Sequence, residues 1–174
     1  WYSELYVRAP FDMIFDREVD DEARLIQHGR FYREDDYPDI EVFLDAAMLM
    51  LRHMPDYLLV HPMGLDYIGH KHGGGSGPYL KQVALQDQIM ANFIPQALGL
   101  DYTILVTGDH GMNEHGVHNG EDTRHVPLFI ISPDHPGLGD TGQTVDQLRI
   151  APTLCRFLDI PPAATMKHPA IVLE

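Results

Sequence analysis

Thr103-Ile-Leu-Val-Thr-Gly-Asp-His-Gly-Met112 is the stretch whose reading decides the fold. Ile104, Leu105 and Val106 form a short apolar run bounded by polar residues, the pattern of a buried strand. The run stops at Gly108 and sets Asp109 and His110 side by side. A carboxylate and a neutral imidazole are the oxygen and nitrogen donors that zinc-like divalent ions accept. At the end of a buried strand they occupy the carboxyl edge of a sheet, where open α/β sheets bind ligands. Taken alone, an Asp-His pair there reads as a polar turn. Two neighbouring stretches change that reading.

These are Gly64-Leu-Asp-Tyr-Ile-Gly-His-Lys-His-Gly73 and Glu114-His-Gly-Val-His-Asn-Gly120. If the first is helical, the i,i+4 spacing of Asp66 and His70 places both on one face. Together the three stretches offer Asp66, His70, Asp109, His110 and His118 as metal ligands, with His72, His115 and His125 as further candidates or outer partners.

The flanking chain reads as alternating strands and helices. Tyr57 to Val60 has the pattern of a strand, with His61 at its exit and Pro62 stopping it. Gly73 to Pro78 is a flexible loop. Tyr79 to Leu98 predicts a long helix with an apolar stripe of Leu80, Val83, Ala84, Ala91, Ile94 and Leu98, ended by Gly99. Strand, helix and strand make a β-α-β unit, for which a right-handed parallel crossover is expected. Val126 to Ile131 predicts another strand, with Pro127 near its start. Upstream, Asp39 suits a helix N-cap, and the helix that follows, Val42 to Met54, is apolar nearly all round. Such a helix is expected to be buried on more than one face, and Pro55 ends it. Arg17 to Arg33 fits a surface helix, and Trp1 to Phe15 is rich in aromatic and aliphatic residues. Thr144 to Leu158 is amphipathic, interrupted by Pro152, and carries Cys155 as a core thiol.

The bulk numbers set limits. A chain of 174 residues is one domain, residues 1–174, by the usual relation of length to domain size. Its net charge of −14 excludes a nucleic-acid backbone as partner, because no basic surface is present to release counterions. A phosphate substrate stays compatible, since bound cations invert the local charge. Eleven histidines favour metal chemistry, the single cysteine rules out an internal disulfide, and no run is long and apolar enough to cross a membrane. The compartment stays open.

Three motifs in this order resemble the alkaline phosphatase superfamily: Asp66-x-x-x-His70 after one strand, Asp109-His-Gly-Met112 after the next, and a Gly-rich His before a Val-Pro-Leu strand. The type I phosphodiesterase/nucleotide pyrophosphatase family is the branch they resemble most, over roughly Pro38 to Pro161. Gly69-His-Lys-His-Gly73 and His118-Asn-Gly120 also resemble the ethanolamine-phosphate transferases of lipid-anchor synthesis. The resemblance implies a three-layer α/β/α fold with a mostly parallel sheet, here without its first βα units. It implies two divalent ions, zinc first and manganese second. Asp66, His70 and either His118 or His125 would bind one ion, motif context favouring His118; Asp109 and His110 would bind the other.

The implied chemistry is hydrolysis of a phosphodiester, phosphomonoester or pyrophosphate in a small phosphate-ester substrate. A Thr or Ser would form a phosphorylated intermediate that water then cleaves. No residue before Tyr37 has the strand-then-Thr/Ser context of that nucleophile, so it is expected upstream, in a segment that would partner this one. A homo-oligomer is the other expected partner. Phosphoryl transfer or mutase chemistry on the same scaffold, or a catalytically incomplete metal-binding fragment, are the competing readings.

Overall fold

The computed structural model describes residues 26–32 and 34–173. The apolar Trp1 to Phe15 stretch, and most of the helix expected over Arg17 to Arg33, lie outside them; residues 26–32 are not helical. The chain forms two compact units, one ending at Ile130 and one beginning at Ile131.

In the first unit, α1 spans Asp39–His53, α2 Gly64–His72 and α3 Gly77–Leu98, followed by strand β1, Ile104–Thr107; strand β2, Leu128–Ile131, runs up to the boundary and ends on the first residue of the second unit. Helices and strands mix as an α/β fold requires. The ladder among the described residues is two-stranded, β1 beside β2. Tyr57 to Val60, expected as a strand, joins no ladder among the described residues, and Tyr57 and Leu59 are exposed. Hydrophobic pattern alone does not make a strand where no neighbour pairs its backbone groups.

Helix α1 ends at Met54, whose left-handed backbone closes on the Met50 carbonyl immediately before Pro55. Two expectations for this helix are corrected. Pro38, not Asp39, holds the cap position, and Asp39 opens the helix with its side chain buried. Ala46, Leu49 and Met50 form a single buried face with Asp39, while Ile40, Leu44 and Leu51 are exposed, so the helix is fully buried on one face rather than on several.

Ser76 caps α3 by accepting from the Tyr79 amide at 3.3 Å, and Pro78 fits the first turn, where its missing N–H costs nothing. The loop expected up to Pro78 therefore ends earlier. The buried face of α3 also differs from the expected stripe. Gln86, Ile89 and Ala97 are buried, whereas Leu80 is 58% exposed. The polar Gln86 stands on the inward face, which rotates that face away from the one the apolar residues suggest. Helix α3 packs on α1, α2 and β1. Phe43 of α1 meets Phe93 of α3 edge to face at 5.2 Å between centroids. The Tyr102 hydroxyl donates to the Pro55 carbonyl at 2.6 Å, tying the approach to β1 to the exit of α1.

In the second unit a 3-10 turn, Gln147–Arg149, leads into α4, Ile150–Phe157. Pro152 sits in the first helical turn and interrupts nothing. Thr153 is fully buried; its hydroxyl donates to the Arg149 carbonyl at 2.6 Å and accepts from the Ile171 amide at 2.8 Å. Arg149 donates to the Pro169 and Ala170 carbonyls, each at 3.0 Å. Together these bonds hold the carboxyl-terminal segment. Cys155 is a buried free thiol, as expected. No helix among the described residues is long and apolar enough to cross a membrane.

Candidate metal centre

Asp66 and His70 stand one turn apart on α2, with His70 Nε2 3.4 Å from Asp66 Oδ1. The start of that helix is fixed from below. Buried Asp39 accepts from the Gly64 amide at 3.0 Å and from the Gln82 side-chain amide at 2.7 Å. A Cβ on Gly64 would lie 2.2 Å from Asp39 Oδ2, so only glycine brings the backbone this close to the carboxylate.

Two imidazoles here, those of His70 and His110, are oriented by backbone carbonyls. His70 Nδ1 lies 2.8 Å from the Gly116 carbonyl oxygen, and His110 Nδ1 lies 3.0 Å from that of Gly111. A carbonyl oxygen can only accept, so Nδ1 carries a proton, and in the neutral form of either ring the lone pair lies on Nε2. Both Nε2 atoms face Asp66 Oδ1, that of His110 at 3.7 Å. This is the arrangement by which metal-binding histidines are usually held.

The third histidine arrives on the loop after β1. Gly116 has a φ of +73°, and a Cβ there would meet the His70 carbonyl oxygen at 2.8 Å. The loop thus lies directly against the end of α2. The Thr123 hydroxyl, in a residue only 2% exposed, shares its proton between the carbonyls of His118 at 2.8 Å and Gly120 at 2.9 Å. So anchored, His118 stacks on His110 with ring centroids 4.0 Å apart and meets His70 edge-on at 5.0 Å.

One ligand atom each from Asp66, His70 and His118 lies within 4.8 Å of the other two. Asp66 Oδ1 is a buried oxygen with no hydrogen-bond partner. A buried carboxylate oxygen left so, with two imidazole Nε2 atoms turned toward it, is costly unless a proton or a cation completes it. The donor set of one carboxylate and two imidazoles fits a divalent ion with an open position.

Asp109 adjoins the group, its Oδ2 3.7 Å from His110 Nε2 and 3.9 Å from His61 Nε2. Burial, and after it the Asp66 carboxylate, hold the Tyr79 phenol above its ordinary value of 10.0, so that hydroxyl stays neutral. His125 is exposed and outside the three-residue group. His72 is exposed at the end of α2, and exposed His115 sits 3.5 Å from Glu114. The approach of His61 to Asp109 and the inward turn of Asp39 escape a reading of the sequence, because each depends on contacts between distant segments.

Residues 6–125 match the family described as type I phosphodiesterase / nucleotide pyrophosphatase. Among curated proteins the chain is 33% identical over 111 residues to GPI ethanolamine phosphate transferase 3, catalytic subunit, of Mus musculus, covering 61% of this chain and 10% of that protein. It is 34% identical over 120 residues to GPI ethanolamine phosphate transferase 2 of Candida albicans, covering 61% and 13% respectively. Against the Aspergillus oryzae protein of the same name it is 32% identical over 163 residues, covering 76% and 19%. The chain thus spans between about a tenth and a fifth of the length of these relatives. No solved structure matches it.

Proposed function

Because this chain belongs to the type I phosphodiesterase / nucleotide pyrophosphatase family, within the alkaline phosphatase superfamily, we propose that it forms part of a metal-dependent phosphoryl-transfer centre acting on a phosphodiester donor. Such centres handle phosphoesters by attack on phosphorus. The observation that carries the reading is Asp66 Oδ1, buried and without a hydrogen bond between the Nε2 atoms of His70 and His110.

Asp66, His70 and His118 would hold one ion, and Asp109 with His110 would contribute to a second. Zinc suits these donors best, and manganese is the alternative. When bound, such ions neutralise charge building on the phosphoryl oxygens. The residues of this chain fix where that charge is met. The Gly116 and Gly111 carbonyls set the two ring orientations, and Thr123 fixes the loop behind His118. The elements described here would belong to a three-layer α/β/α domain with a larger parallel sheet, and the nucleophile would be a Thr or Ser.

Hydrolysis is the first expectation from the motifs. The relatives, named as ethanolamine phosphate transferases, favour transfer: the Thr or Ser oxygen bonds to phosphorus as one alcohol of the phosphodiester leaves with a proton, and the phosphoethanolamine group then passes to an acceptor alcohol instead of water, freeing the Thr or Ser. The test is phosphoryl transfer by the native protein that carries this sequence, compared with its Asp109→Ala variant. Loss of at least a hundredfold in rate, with labelled phosphoethanolamine appearing on an acceptor alcohol in the unmodified protein, is the expected result. An unchanged rate would sink the reading. Label released only as free phosphoethanolamine would restore hydrolysis.

A further inference from the structure

Helix α2 has 9 residues, too few to hold a helical path in water without support from its neighbours. Its own cap residue, Met63, makes no side-chain bond to the first turn. That support comes instead from Asp39, 25 positions before Gly64. The Asp39 side chain is 4% exposed and is not spent on α1, whose start has no side-chain cap. One carboxylate oxygen accepts from the Gly64 amide at 3.0 Å, and the other from the Gln82 side-chain amide at 2.7 Å. A Cβ on Gly64 would lie 2.4 Å from Gln82 Nε2, so the three groups interlock. Residues of α1, α2 and α3 thus meet on one carboxylate, which also faces the positive end of the α2 dipole. Two positions beyond Gly64 stands Asp66, whose Oδ1 has no hydrogen bond to hold it. Its place therefore follows the helix backbone.

We infer that Asp39 is a positioning residue of the metal centre. Through the Gly64 amide it sets the start of α2, and so the place of Asp66 against His110 and His118, while Gln82 holds the carboxylate in that setting. The inference rests on the metal-centre reading and extends it to a residue outside the ligand set. The two ends of α2 are fastened differently. His70, near its end, rests on the Gly116 carbonyl, whereas the start rests on Asp39. Freeing the start would leave the His70 anchor in place and let Asp66 move against His110 and His118, which lie beyond β1. The residue type follows from the partners. Both are N–H donors, so both oxygens of residue 39 must accept. An asparagine offers one acceptor and one donor, and one of the two partners would then meet another N–H.

The test uses the full 174-residue chain and two readouts. One is zinc affinity, by competition against a chromophoric chelator. The other is the visible spectrum of the cobalt(II)-loaded chain, whose bands report the geometry of the ligands. Asp39→Asn is expected to lower zinc affinity roughly tenfold or more, the scale on which partners that orient ligands act, and to shift the cobalt(II) bands. Adding Gln82→Glu supplies an acceptor for the asparagine N–H, so the double variant should recover zinc affinity to within about twofold and restore the bands. Gln82→Glu alone sets two carboxylates face to face and should behave like Asp39→Asn. An Asp39→Asn chain that loses stability in urea but keeps zinc affinity and cobalt(II) bands would overturn the inference and leave the metal centre standing. A double variant that recovers neither readout would do the same. Gln82→Ala, at a half-buried position that water can refill, carries the test if the Asp39 variant does not fold. It should bind zinc about threefold more weakly, the share of one neutral donor, and unchanged readouts there would also overturn the inference. An unmodified chain that takes up no zinc would overturn the metal centre and this inference with it.

Discussion

At the scale of single residues, the centre depends on which nitrogen of each imidazole is free. His70 and His110 commit Nδ1 to backbone carbonyls, so Nε2 is the donor that each can offer. His118 completes the three-residue group, and His125 lies outside it. His118→Ala is therefore expected to lower zinc affinity at least tenfold, and His125→Ala to leave it within twofold, measured by competition against a chromophoric chelator. Asp39 gives a second expectation. Burial raises its carboxyl above the ordinary 3.8, and this outweighs the lowering effect of the hydrogen bonds from Gly64 and Gln82. The folded chain then holds that proton to higher pH than the unfolded chain does. Stability from this group is greatest below 3.8 and declines as pH rises through the raised value. Asp39→Asn removes the titration, so in urea melts the unmodified chain should lose stability relative to the variant as pH climbs from 3.8. A constant difference between the two would contradict this.

At the scale of elements, α2 and the loop after β1 form one piece. The loop passes so close to the helix that Gly116 has no room for a side chain, and its φ of +73° is strained for any other residue. Gly116→Ala should cost about 1–2 kcal/mol from the backbone conformation alone. It should also weaken zinc binding by separating His118 from His70; a thermal melt with and without zinc separates the two effects. Much of this was legible in the sequence. Asp66 and His70 declare themselves by i,i+4 spacing, α3 by its length, and β1 by three apolar residues before a glycine. The inward face of α3 was not legible, because buried Gln86 breaks the apolar periodicity that marks a buried side. Asp39 was misread for a related reason. An Asp after a Pro at a helix start resembles a cap, and its partners, Gly64 and Gln82, lie 25 and 43 positions away. The Tyr57 to Val60 run has a strand's composition, but a strand is defined by its neighbour, which composition does not contain.

At the scale of the whole molecule, the net charge of −14 disfavours the compact state through self-repulsion, and bound cations would relieve it at the place where carboxylates and imidazoles meet. Zinc should raise the melting temperature in proportion to the logarithm of its free concentration. The stabilisation would reach about 2.7 kcal/mol at a hundredfold excess over Kd. Chelation should reverse the gain, and a melting temperature indifferent to zinc would count against the centre. The position of the ligands along the chain carries a further consequence. Asp66 and His70 precede α3, whereas His118 follows β1, so one ion held by all three would fasten the two ends of a long stretch of chain. It would act there as a disulfide does, by removing open conformations from the unfolded ensemble. The amides of α3 and β1, enclosed within that loop, would then exchange with solvent only when the fastening itself lets go.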